Sequence, residues 1–298
     1  MSEPMAPRGR LIIAFAAVYL IWGSTYLAIR YAIETIPPFL MAASRFLMGG
    51  VILYSWSRSK GAIPFSNAAW KAAAVVGFFL LLMGNGAVVI AEQWVPSGLT
   101  ALLIATTPMW VSIVDWLRPD GKRPRLQVAI GILTGMLGVS LLIDVGELRT
   151  GGVDLAGAGI LMVGSISWAI GSLHARYVKL SASPIMTSSM QMLCGGIWLL
   201  LASAATGEFS RLDIAQISRV SLIAYVYLAV FGSIIAFTAY SWLVTATTPA
   251  RAATYAYVNP AVAVFLGWAV AGEPLTARMM VAMAIIVGAV VVITNAKQ

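Results

Sequence analysis

The residues of this 298-residue chain that can do chemistry are aromatic and amide side chains set at helical spacing. Tyr19, Trp22 and Tyr26 recur at i, i+3 and i+7, which places them on one face of a helix. Ser165, Trp168 and Ser172 share a second face, Phe78, Asn85 and Glu92 a third, and Tyr255 and Asn259 a fourth. Such faces bind rather than make bonds. Rings stack on apolar or aromatic molecules, ring faces attract an ammonium group, and hydroxyls and amides orient what is bound. The alternative is packing, or the aromatic belts found at both surfaces of a membrane. Trp56, Trp70, Trp94, Trp116 and Trp242 lie near the ends of apolar runs and read as belt residues, whereas Trp22, Trp168 and Asn259 lie deeper. Covalent and metal chemistry have little material. His174 and Cys194 are the only residues of their kinds, too few for the usual ligand set of zinc. No Ser–His pairing within one helix offers a nucleophile with its base. The chain reads as a non-enzyme without metal or cofactor.

The elements that must position these faces follow from composition. The chain is 60% hydrophobic and 10% charged, with a mean hydropathy of +0.89, against about 45–50% and about 25% in soluble domains. With 13 Pro and 1 Cys it is neither collagen-like nor a disulfide scaffold. An integral membrane protein remains. Ten apolar runs have the length of helix that a bilayer core about 30 Å thick demands. They are Leu11–Ile29, Phe39–Trp56, Ala72–Ala91, Ser97–Leu117, Leu126–Ile143, Leu155–His174, Ile185–Ala204, Val220–Val244, Ala252–Ala271 and Ala277–Ile293. Barrel strands would be half as long and would alternate in polarity. The first run, behind Arg8 and Arg10, is span-length and lacks a small-residue cleavage pattern, so it reads as a retained helix.

The net charge of +8 becomes informative once it is placed. Arg8, Arg10, Arg58, Lys60, Lys71, Arg118, Lys122, Arg123, Arg125, Arg176, Lys179, Arg251 and Lys297 fall on the side of the two termini. Arg30, Arg149, Arg211, Arg219 and Arg278 fall on the other, and Arg45 lies within the second run. Basic residues favour the cytoplasm, so both termini are expected there, in a bacterial inner membrane. The charge is thus a topology signal and not a nucleic-acid surface. No connection exceeds roughly fifteen residues and no GxxxxGK[ST] loop occurs, which leaves no room for an ATP-driven domain.

The two halves of the chain match. At an offset of 146, Trp22 meets Trp168, Pro38 meets Pro184, and Gly49-Gly50 meets Gly195-Gly196. At 148, Gly84 meets Gly232 and Trp94 meets Trp242; at 152, Pro108 meets Pro260 and Trp116 meets Trp268. Each half holds five runs, an odd number, so two copies spanning residues 11–148 and 149–294 would cross the membrane in opposite directions. Inverted repeats with a site near the midplane between them are characteristic of secondary transporters. The expected fold is therefore all-α and integral to the membrane, ten helices in two inverted five-helix repeats.

Particular motifs strengthen this. Trp22-Gly23-Ser24-Thr25-Tyr26 resembles the WGS/N signature of the drug/metabolite transporter superfamily, EamA type, and Arg45-Phe46 is similar to its xRFxxa pattern. Asn259-Pro260 followed by Gly272-Glu273-Pro274-Leu275-Thr276 is similar to the Pro…GExL element of that family, from which the first half departs with Asp120-Gly121-Lys122-Arg123-Pro124. The resemblance covers residues 11 to 294. It implies that the first, third, fourth, sixth, eighth and ninth helices surround a central cavity. Within the family the chain most resembles bacterial amino-acid exporters, including those for aromatic amino acids.

Taken together, the cavity is expected to use Trp22, Tyr26, Phe78, Asn85, Ser165, Trp168, Tyr255 and Asn259. Pro108 and Pro260 fall mid-run and, with Gly84 and Gly232, are expected to serve as hinges or kinks. Arg45 could bind a substrate carboxylate, snorkel, or tie helices together, the structural role being favoured. Glu92, at the external end of its run, is expected to be solvated or paired with a carbonyl. The expected function is secondary export of aromatic or large neutral amino acids by a monomer, through alternating access, with the lipid bilayer as its other partner. Export of drugs or other metabolites is the rival within transport, and a non-transporting scaffold or receptor the rival outside it.

Overall fold

A computed structural model describes residues 8–61, 66–95, 97–119, 121, 123–142, 155–178, 183–271 and 277–295. Every regular element among them is helical. The first half contributes α1 (Arg8–Ile33), α2 (Pro38–Ser59), α3 (Asn67–Ala91), α4 (Ser97–Ile104), α5 (Thr107–Trp116) and α6 (Leu126–Leu142). The second contributes α7 (Leu155–Tyr177), α8 (Pro184–Ala205), the single turn α9 (Glu208–Arg211), α10 (Arg219–Ala246), the single turn α11 (Pro249–Ala252), α12 (Tyr255–Ala271) and α13 (Ala277–Asn295). Local chemistry sets several starts. Pro38 and Pro184 open α2 and α8, where a missing N–H costs nothing. Ser183 and Ser218 cap α8 and α10 by accepting from the Met186 and Ser221 N–H groups at 3.2 and 3.0 Å.

Six helices (α1, α2, α3, α7, α8 and α10) are long and apolar enough to cross a membrane, and α6 and α13 carry shorter apolar stretches. Their outward faces are as apolar as their interiors. Ile12, Ile13, Leu117, Leu126 and Ile223 are all more than two-thirds exposed, a surface suited to lipid and not to water. Lipid removes the hydrophobic drive between helices, so close packing of small residues and internal hydrogen bonds must hold them together. The contact between α2 and α8 shows this. A side chain at Gly50 would run into Leu193, at 2.9 Å, and one at Gly196 into Leu47, at 2.7 Å. The two contacts run in opposite order along the helices, so α2 and α8 are antiparallel. Gly131 against Ile293 and Gly138 against Ile286 give the same relation for α6 and α13.

The expected fourth span, Ser97–Leu117, is broken into α4 and α5 by a turn at Ala105 and Thr106. Pro108 therefore does not kink a continuous helix. It is the second residue of α5, a place where proline is tolerated without loss. The expected ninth span, Ala252–Ala271, begins at a similar turn, Ala253 and Thr254, which parts α11 from α12, and is one helix from Tyr255 onward. These breaks are 148 residues apart and share one chemistry. The Thr106 hydroxyl donates to the Leu103 carbonyl at 2.6 Å, and the Thr254 hydroxyl to the Arg251 carbonyl at 2.7 Å. Pro260 lies inside α12. Gly84 and Gly232 each fall within a π-helical stretch, Phe78–Asn85 of α3 and Leu228–Phe237 of α10. The Gly272–Thr276 motif lies outside the described residues.

Candidate functional site

A cavity with about 660 Å³ of space, its open mouth included, lies among α1, α2, α3, α4, α5, α7, α10 and α12. Its walls include Trp22, Tyr26, Asn85, Ser165, Trp168, Tyr255 and Asn259, together with Gly84 and Gly232. Arg45, Phe46, Thr107 and Phe237 complete much of the rest. Phe78 is not among the walls. It faces Phe79 and the half-exposed Trp198, with ring centroids at 5.4 and 5.6 Å. The i, i+7 spacing to Asn85 crosses the π-helical stretch, where i→i+5 bonding widens each turn and carries Phe78 off the shared face. Pro108 and Pro260 are also absent from the walls described, each next to a residue that is present: Thr107 and Asn259.

One end of the cavity is closed by a cluster of rings. The Trp22 ring meets those of Trp168, Tyr240 and Tyr255 at centroid distances of 5.5, 5.0 and 5.0 Å. Tyr240 and Tyr255 meet at 5.4 Å, edge to face. Hydrogen bonds lock this layer. The Trp22 indole N–H donates to the Gly232 carbonyl at 3.2 Å, and the Trp168 indole N–H to the Tyr240 hydroxyl at 2.8 Å. The Tyr240 and Ser172 hydroxyls pair at 2.6 Å. A side chain at Gly84 would strike the Trp168 ring at 2.6 Å, so only glycine lets that indole lie against α3. Each half thus seats its first-helix tryptophan on the π-helical stretch of the other. Beyond Tyr240 is a smaller space bounded by Ser172, Arg176, Val244 and Ala252. Tyr240 lines this smaller space and packs against Trp22, Trp168 and Tyr255, which line the larger one. From this layer the larger cavity extends to Ile29 and Val88, toward the end of the bundle that carries Arg30 and Glu92.

The polar groups of the site are few and incompletely paired. Arg45 is 2% exposed. It donates from Nη1 to the Ser233 hydroxyl at 3.1 Å and from Nη2 to Asn85 Oδ1 at 2.8 Å, and its guanidinium carbon lies 4.2 Å from the centre of the Phe46 ring. Its Nε has no partner, nor does Oδ1 of Asn259, which is 1% exposed. Both oxygens of Glu92 are also unpartnered, in a residue only 6% exposed. The sequence suggested a solvated or carbonyl-paired Glu92; the structure gives it neither. An unsatisfied buried polar group costs about 1–3 kcal/mol. Of these, Arg45 and Asn259 belong to the cavity walls and are candidates for contact with whatever enters it, whereas Glu92 is not among the walls described.

Tyr240, Arg45, Phe46, Thr107 and Phe237 are among the wall or gate residues that helical spacing did not select. For Arg45 the signal was a charge at membrane depth. For Tyr240 it was the offset of 148, which pairs it with Glu92.

A membrane-embedded helical bundle around an aromatic cavity closed at one end, with a few converging polar groups, has the build of a membrane transporter. The EamA-like transporter family model matches residues 9–144 and again 155–295, and the chain belongs to that family of membrane transporters. It is 40% identical over 290 residues to the uncharacterized inner membrane transporter YedA of Escherichia coli (strain K12), covering 95% of this chain and 90% of that protein. It is 21% identical over 289 residues to the uncharacterized transporter YvbV of Bacillus subtilis (strain 168), covering 97% and 93%. A crystal structure sharing 18% identity superimposes with a TM-score of 0.76 over 97% of this chain and 98% of that one, a likeness of fold.

Proposed function

We propose that the protein is a secondary transporter that moves amino acids with aromatic or large neutral side chains outward, by alternating access through the central cavity. In this reading residues 11–148 and 149–294 are inverted five-helix repeats giving ten spans. Both termini lie in the cytoplasm of a bacterial inner membrane, and one chain acts alone. The observation that carries the reading is the ring layer of Trp22, Trp168, Tyr240 and Tyr255, which closes one end of a cavity drawn from both halves. The double match to the family model and the antiparallel pairing of α2 with α8 support the repeat.

The mechanism follows from where the cavity stops. It is shut toward Arg176, on the side rich in basic residues, and reaches toward Arg30 and Glu92 on the other. Parting Tyr240 from Trp168 and Ser172 would join the two spaces, while the far end closes around Tyr26. The breaks at Thr106 and Thr254 let α5 and α12 move without bending a continuous helix. Rings give an apolar side chain its binding surface, and polar groups beside them orient a zwitterion. Purified protein in liposomes tests this with labelled phenylalanine, leucine, threonine and tetraphenylphosphonium. Phenylalanine or leucine should cross faster than in empty vesicles. Flux of the lipophilic cation alone would assign a drug exporter, and no flux at all a scaffold.

A further inference from the structure

We infer that the cavity selects its cargo by a free carboxylate gripped by the Arg45 guanidinium, and so rejects amines and lipophilic cations of the same shape. The inference rests on the amino-acid reading above and names how that cargo is recognised. Arg45 is buried in α2 with neutral partners only: the hydroxyl of Ser233 on α10 and the amide oxygen of Asn85 on α3. Among the described residues no acid pairs with it. A residue serving solely to tie helices would be expected to spend its donors on protein. Here each terminal nitrogen is held by one bond, which fixes the plane of the fork, while Nε is buried without a partner and the residue lines the cavity. An oriented guanidinium with unspent donors matches the two oxygens of a carboxylate. Glycine at 232 keeps the approach clear, since the Arg45 Nη1 lies 3.5 Å from where a side chain there would begin.

The same charge explains exclusion. Arginine stays protonated, and in a weakly screened interior it repels any ligand that brings only positive charge. A zwitterion answers both demands. Its carboxylate meets Arg45, and its ammonium can donate to Asn259 Oδ1, the unpartnered acceptor of the same cavity, or face the rings of Trp22 and Tyr255.

The test needs no variant to begin. Uptake of labelled phenylalanine into proteoliposomes bearing the native protein is competed with unlabelled phenylalanine, phenethylamine, phenylalaninamide and 3-phenylpropionate. The two compounds lacking a free carboxylate should compete more weakly than phenylalanine by about tenfold or more, while 3-phenylpropionate should retain measurable competition. If phenethylamine competes as well as phenylalanine, the carboxylate is not read and the inference falls, though amino-acid transport stands. If phenylalanine does not cross at all, both readings fall. Arg45→Gln then assigns the contact. It should raise the KM for phenylalanine by about tenfold and erase the preference over phenethylamine, with Arg45→Lys retaining part of it. Monodisperse elution and an unchanged Tm for either variant certify the fold. A folded Arg45→Gln protein with native KM and native preference would overturn the assignment.

Discussion

Trp168 is constrained on three sides: its indole N–H by the Tyr240 hydroxyl, its ring edge by Trp22, and its face by the bare backbone at Gly84. A residue so placed shapes the cavity floor more than it stabilises the bundle. Trp168→Ala should lower phenylalanine flux by about tenfold, the effect of losing roughly 1.4 kcal/mol of contact, with expression retained; unchanged flux would make the residue packing only. Spacing read from the chain reached Trp22, Tyr26, Ser165, Trp168, Tyr255 and Asn259 because their neighbours in the pattern lie on ordinary α-helix, whereas Asn85 lines the cavity although the spacing that singled it out runs through a π-helical stretch. Phe78 escaped that logic because a π-helical stretch begins at it. Glu92 escaped because nearness to a span end does not reveal whether water reaches a side chain.

At the scale of elements, six of the ten apolar runs are helices long and apolar enough to cross a membrane, while the fourth is divided by a turn and the ninth begins at one. Proline drew attention to the fourth and ninth runs, whereas the turns sit at Ala105-Thr106 and Ala253-Thr254, where each threonine hydroxyl bonds a carbonyl that also accepts its own backbone N–H. No local rule separates such a threonine from one that packs inside a continuous helix. Thr254 also binds the Tyr19 hydroxyl at 2.6 Å, tying the α11–α12 turn to α1. Thr254→Val should therefore cost about 1–3 kcal/mol, seen as a lower Tm in detergent, and Tyr19→Phe a smaller part of it. The α2–α8 contact gives a second test. Gly50→Leu should drive a side chain into Leu193 and destabilise by about 1–3 kcal/mol, as overpacking does. Gly196→Leu acts on the same interface, so the double variant should fall short of the sum of the two. Native Tm in either single variant would show that the helices stand farther apart.

For the whole molecule, the ring layer decides which end is shut. Tyr240→Phe deletes the hydroxyl that joins Trp168 to Ser172, worth about 1–2 kcal/mol across the two bonds. The expected outcome is a population shifted toward opening on the Arg176 side. In a Cys194→Ser background, a cysteine replacing Val244, which is buried beyond the layer, should react several-fold faster with a water-soluble thiol reagent when Tyr240→Phe is added, by roughly the population change that this energy allows. Equal rates would place the barrier elsewhere. The offset of 148 that aligns the helix breaks also aligns Tyr240 with Glu92. In the proposed inverted arrangement these are the same position at opposite ends of the path, one a phenol with its bonds made, the other a carboxylate with none. The frame is doubled, but only one of its two ends carries a bonded latch at this position. Opening one way and opening the other are then not mirror-image events, and a carrier with unlike locks can take unequal time at its two doors.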